Sequence, residues 1–124
     1  MRTRKREDVE RAFKQSLRKW AGIIVKLNKD GGAGDCALCS IFMGMYPPNG
    51  ATVCDGCPIS QRHPKGYGCC ADTPYNEFYK LASYLALKRD DEITDDEIDE
   101  YRELARKELA FLIETYFMWK KGML

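Results

Sequence analysis

At 124 residues, with 44% hydrophobic and 31% charged content, the chain fits a single domain over 1–124 and excludes global disorder. A net charge of +1 excludes a wholesale polyanion binder, although residues 1–29 hold ten Lys/Arg against three Asp/Glu and the remainder ten against sixteen. The Met1–Arg6 start is basic with no apolar signal core, and the most apolar run, Leu109–Trp119, is interrupted by Glu114 and too short to span a bilayer. The expectation is therefore a cytoplasmic protein with no membrane partner.

The first predicted element is a helix over residues 8–30. Val9, Phe13, Leu17, Trp20, Ile24 and Leu27 recur at steps of four and three, which places them on one stripe. Asp8 can cap its start, and Asp30-Gly31-Gly32 should stop it, because glycine readily takes the left-handed conformation of a helix end. Arg11, Lys14, Arg18 and Lys19 fall on the opposite face. Residues 31–72 follow without apolar periodicity and hold all six cysteines, the single histidine and most of the glycine and proline. Within them, Ile41-Phe42-Met43 and Ala51-Thr52-Val53 have the composition of a short β-hairpin around Pro47-Pro48-Asn49-Gly50.

A second helix is predicted over 73–89. Pro74 suits the first helical position and drives Thr73 out of the helical region, as an N-cap requires. Tyr75, Phe78, Leu81, Ala82 and Leu85 line one side of it, and Asp90-Asp91-Glu92 forms a polar joint. The third helix, over 94–121, opens on a capping box, Thr94-Asp95-Asp96-Glu97, with Ile93 and Ile98 placed for a hydrophobic staple. Ile98, Tyr101, Ala105, Leu109, Leu112 and Tyr116 make its stripe, and Gly122 lies past its end. Beyond Leu109 the helix is apolar nearly all round. Phe111, Met118 and Trp119 are expected to point partly outward, which predicts an interface and a homodimer.

A segment as long as 31–72 needs a clamp. Cys36-x-x-Cys39 and Cys54-x-x-Cys57, fourteen residues apart, supply one. Two tight turns each present a pair of sulfurs to a single ion, and four thiolates suit zinc in a tetrahedral shell. Cys69 and Cys70 are alternate ligands, since adjacent cysteines rarely bind one ion together. An iron–sulfur cluster and disulfides remain as alternatives: Cys57-Pro58 matches part of a ferredoxin-type run, and six cysteines can pair evenly. Reduced thiols in a cytoplasmic setting favour the metal. Four sulfurs close a zinc shell, so none of these readings brings catalysis with it.

Cys36-Ala37-Leu38-Cys39, Cys54-Asp55-Gly56-Cys57-Pro58-Ile59, Gly66 and Cys70-Ala71-Asp72-Thr73-Pro74-Tyr75 together resemble a pattern in small uncharacterised cysteine-rich proteins of phages and prokaryotes. The resemblance covers about forty residues and stops before the acidic joint and the last helix. It implies a prokaryotic or viral setting and a metal-bound segment, implies no activity, and favours Cys70 over Cys69.

The basic face of the first helix could sit on nucleic-acid phosphates, but a solvated face partly neutralised by Asp90–Glu100 explains it more simply. The acidic joint lacks the alternating spacing and central glycine of a calcium loop, and His63 reads as an exposed loop residue. The expectation is thus a mainly α, three-helix domain whose cysteine-rich insertion is pinned by zinc. Its expected role is that of a non-enzymatic accessory or regulatory protein that binds another protein, phage-encoded in origin. The alternatives are a nucleic-acid-binding module and a thiol or iron–sulfur redox protein.

Overall fold

The structure is a computed structural model that describes residues 5–27, 57–59, 62 and 73–124. Three helices make up most of the described chain: α1 over Arg6–Lys26, α2 over Pro74–Ala86 and α3 over Asp95–Lys120. A 3₁₀ turn, Asp90–Glu92, joins α2 to α3, and there is no strand among the described residues. The hairpin expected around Pro47-Pro48-Asn49-Gly50 lies outside the described residues.

The longest helix, α3, is the centre, with α1 and α2 both packed along it. Hydrogen bonds between α3 and α1 fix their relative direction. Arg102, near the start of α3, donates to the carbonyl of Ile24 at 3.2 Å, while Arg6, at the start of α1, donates to the carbonyl of Lys120 at 3.1 Å. The two helices are therefore antiparallel. Each arginine places a cation at the other helix's C-terminal end, where carbonyls lack partners and the dipole is negative.

Two aromatic groups fill the core. At one end Phe13 packs edge-on against Tyr116 at 5.3 Å and beside Trp119 at 5.5 Å. At the other, Trp20 bridges to α2 through Phe78 at 4.7 Å and Tyr75 at 5.9 Å, and Phe78 continues to Tyr101 at 4.9 Å. Phe13 and Phe78 are wholly buried. Such pairs add to the burial of apolar area, because edge-to-face rings bring a positive rim onto a negative face.

The helix starts and stops follow local chemistry in α3. The Thr94 hydroxyl accepts from the amide of Glu97 at 3.1 Å, and the amide of Thr94 donates to the Glu97 carboxylate at 2.9 Å. The expected capping box is present. At the other end Gly122 takes φ +75°. Its amide donates to Trp119 and that of Met123 to Met118, so the last carbonyls are satisfied as a left-handed terminus requires. Thr73, extended at ψ 166°, precedes Pro74 as expected.

Helix α1 departs from expectation at both ends. It begins at Arg6 after an extended Lys5 with no side-chain cap, two residues before the expected cap Asp8. The Arg6 guanidinium lies over Trp119 at 4.5 Å and bonds Lys120, so a contact with α3 holds the first turn in place of a cap. Asp8 instead pairs with Arg11 at 3.2 Å. The helix ends at Lys26, with Leu27 at φ +57° donating to Ile23, rather than at Asp30-Gly31-Gly32. A non-glycine residue takes this conformation at a cost. Helix α2 likewise stops at Ala86, short of Arg89.

Candidate functional site

Among the described residues, the segment predicted to hold a metal meets the helical core at Cys57–Ile59. Cys57, Pro58 and Ile59 are buried, Cys57 to 1% exposure, and Cys57 and Ile59 belong to the same apolar cluster as Phe13, Trp20, Phe78 and Leu112. Beyond them the chain turns, the amide of Arg62 donating to the carbonyl of Ile59 at 3.2 Å. The Arg62 side chain then lies on α3. Its guanidinium stacks over the Phe111 ring at 4.4 Å and donates to Thr115 Oγ1 at 3.0 Å and to the Phe111 carbonyl at 3.5 Å. It also pairs with the Glu114 carboxylate.

Thr115 is wholly buried and serves both sides of this junction: its hydroxyl donates to the Phe111 carbonyl at 2.7 Å while accepting from Arg62. The described part of the cysteine-rich segment is in this way fixed to the helices by an apolar tripeptide and to the C-terminal half of α3 by a cation. Of the expected metal ligands, Cys57 is in this seat. Cys36, Cys39, Cys54 and the alternates Cys69 and Cys70 lie outside the described residues, as does His63. Among the described residues no three of His, Cys, Asp and Glu gather closely enough to hold a metal ion.

The expected nucleic-acid residues are on α1. Arg11, Lys14 and Arg18 are exposed, and Lys19 is half-buried with its ammonium 5.1 Å from the centre of the Trp20 ring. Arg11 is partly answered by Asp8. The acidic joint meets basic residues of its own neighbourhood: Lys88 donates to both oxygens of Glu97 at 3.0 and 2.8 Å, and Arg89 to Glu92 at 2.8 Å. The bond from Lys88, then that from the amide of Thr94, holds the Glu97 carboxyl below its usual range, and Glu97 in turn raises Lys88.

A second such cluster ties α1 to the end of α3. Lys120 and the Tyr116 hydroxyl both donate to Glu10, at 2.9 and 2.8 Å. These two bonds, that from Lys120 first, lower the Glu10 carboxyl from 4.5 to about 2. Both clusters are structural ties between elements. Neither contains a nucleophile with an adjacent base.

The expected interface residues are all half-buried. Phe111 and Trp119 are half-buried against the core, under Arg62 and Arg6 respectively, and Met118 is also half-buried. The exposed apolar side chains of α3 are Ile113 at 39% and Phe117 at 54%. Periodicity alone located the apolar half of α3 but not its rotation, which the Cys57–Arg62 seat determines by covering Phe111.

Sequence reasoning also missed an open cleft of about 550 Å³ between the ends of α1 and α2 and the start of α3. Leu27, Ala82, Leu85, Ile93, Ile98 and Tyr101 give it an apolar lining, with Lys88 and Asp90 at its rim. No helix among the described residues is long and apolar enough to cross a membrane. Comparison of the chain with protein-family models, with curated proteins and with solved structures finds no match.

Proposed function

We propose that the chain is a non-enzymatic, protein-binding accessory protein in which one zinc ion, held by Cys36, Cys39, Cys54 and Cys57, pins the cysteine-rich segment onto a three-helix platform. The observation that carries this reading is the burial of Cys57 with Pro58 and Ile59 in the helical core. A closed four-sulfur zinc site needs no open coordination position and tolerates burial, whereas a reactive redox thiol needs access to solvent. Burial at Cys57 therefore supports the structural metal over thiol chemistry there.

The apolar cleft beside Leu27 supports a binding role. The resemblance of the cysteine pattern to that of small phage and prokaryotic proteins supports a prokaryotic or viral setting, and with it a cytoplasmic location where thiols stay reduced. The nucleic-acid reading through Arg11, Lys14, Arg18 and Lys19 ranks below it, because Arg11 already faces Asp8 and Lys19 lies beside Trp20.

Metal analysis of protein purified without added metal tests the proposal. One zinc per chain is expected, lost in Cys57→Ser together with much of the stability, since structural zinc contributes on the order of 10 kcal/mol near neutral pH. Metal-free protein with its sulfurs in disulfides would overturn it. A coloured protein with stoichiometric iron and sulfide would replace zinc by a cluster. Duplex DNA binding that falls steeply with salt would promote the nucleic-acid reading.

A further inference from the structure

We propose that the chain pairs with a second copy of itself through the outward stripe of α3, the two helices running antiparallel about a twofold axis between Ala110 and Ile113. Glu103, Arg106, Ala110, Ile113 and Phe117 follow one another at steps of three and four, the spacing of a coiled-coil seam. All five are exposed. They lie opposite the face on which Leu104, Ala105, Glu108, Leu112 and Thr115 are buried. Among the described residues, packing against α1, α2 and the Arg62 junction thus leaves this stripe uncovered, with an isoleucine and a phenylalanine one turn apart in its C-terminal half.

Charge selects the occupant and its direction. The stripe is acidic towards the helix start, at Asp99 and at Glu103, which accepts from Arg106 of the same stripe at 3.4 Å, and basic past its end, at Lys121. A parallel copy would set acid on acid and base on base, and a nucleic acid would meet the acidic end. An antiparallel copy sets each end on its complement and also opposes the two helix dipoles favourably. In that register small Ala110 faces large Ile113 of the second copy, twice. Arg106 then comes over Phe117 of the second copy, where a guanidinium finds the negative face of a ring. Glu103 comes opposite the Lys120–Lys121 end. The complementarity is that of the chain with itself, which is what a twofold interface requires. The apolar seam is short, so the pairing is concentration-dependent. It requires no metal and goes beyond the zinc reading.

Sedimentation equilibrium of the full chain over a concentration series tests it, with zinc content and helical circular dichroism followed in every variant so that loss of fold is seen separately. The wild-type mass is expected to climb towards that of a dimer, and Phe117→Lys to remain monomeric at the same concentrations. Glu103→Lys and Lys121→Glu are each expected to raise the dissociation constant about tenfold, two symmetry-related pairs being lost at once. The double variant, which exchanges the charges across the axis, is expected to recover most of that loss. All three positions are exposed, and Ala110→Arg offers an independent block if Phe117→Lys fails to fold. A wild-type chain that stays monomeric up to about 1 mM, where an association would be worth only about 4 kcal/mol, overturns the proposal. So does a dimer indifferent to Phe117→Lys and Ala110→Arg, or one that charge exchange does not restore. A monomer that binds only a different protein through this stripe overturns it as well.

Discussion

Replacing Arg62 by methionine removes the cation that seats the cysteine-rich segment on α3 while keeping its aliphatic stem over Phe111. Three interactions with side chains are lost, together with the long 3.5 Å bond to the Phe111 carbonyl. A hydrogen bond from a charged donor to the buried Thr115 hydroxyl is worth about 1.5–3 kcal/mol. The guanidinium over the Phe111 ring, at 4.4 Å, adds about 0.5–1 kcal/mol. The pair with Glu114 adds at most about 1 kcal/mol, because Glu114 is 62% exposed whereas Arg62 is 20% exposed. One guanidinium makes all three, so they do not add in full. Thr115 still donates to the Phe111 carbonyl at 2.7 Å after the change, so no buried hydroxyl is orphaned. The expected loss is about 2–3 kcal/mol, while Glu114→Gln costs below about 0.5 kcal/mol. Urea denaturation of the two variants, read by tryptophan fluorescence, measures both. Equal losses would mean that the exposed ion pair, and not the buried junction, holds the segment, and the reasoning given for Arg62 would fail.

The capping box yields a second expectation: Thr94→Ala costs about 1 kcal/mol in the same urea assay, since it removes the acceptor for the Glu97 amide. An unchanged midpoint would place the start of α3 elsewhere. Glu10 supplies a pH dependence. Its carboxyl is lowered from 4.5 to about 2 by Lys120 and Tyr116, so its contribution is fully present above about pH 4.5 and is lost as pH falls towards 2. Stability measured against pH should therefore fall less steeply between those limits in Glu10→Gln than in the wild type. Identical slopes would show that the cluster does not survive in solution.

What the sequence makes legible here is local. Thr94 and Glu97 are three residues apart and recognise each other's backbone, and Thr73-Pro74 and Gly122 punctuate α2 and α3 through their own backbone preferences. The positions of α1 and α3 that face the core could be read only to within a rotation. The expected α1 stripe is buried at Val9, Phe13 and Trp20, but Ala12, Ser16 and Ile23 are buried beside them while Leu17 and Ile24 are half-buried. Small residues at 12 and 16 let α1 lie close to its neighbours, a property that hydrophobic periodicity does not score. The start of α1 at Arg6 was illegible because it depends on Trp119 and Lys120, more than a hundred residues away in the chain. Arg62 was illegible for the same reason. It lies in a stretch with no periodicity, and its partners are on the far helix. Cys57 stood out by its spacing, but its burial in the core beside Pro58 and Ile59 could not be read from that spacing.

The antiparallel pairing of α1 with α3 has a mechanical consequence. Arg6 and Lys120 are joined at the same edge of the pair, so a force applied between these two residues acts on one contact at a time. The Arg6 bond and its stacking on Trp119 would open first, then the Glu10–Lys120 tie, then Phe13 from Tyr116 and Trp119. Pulling across α1 from Arg6 to Arg102 loads the seam along its length instead, and the same contacts must then fail together. The direction of load, with no change in any residue, separates a helix pair that peels from one that resists.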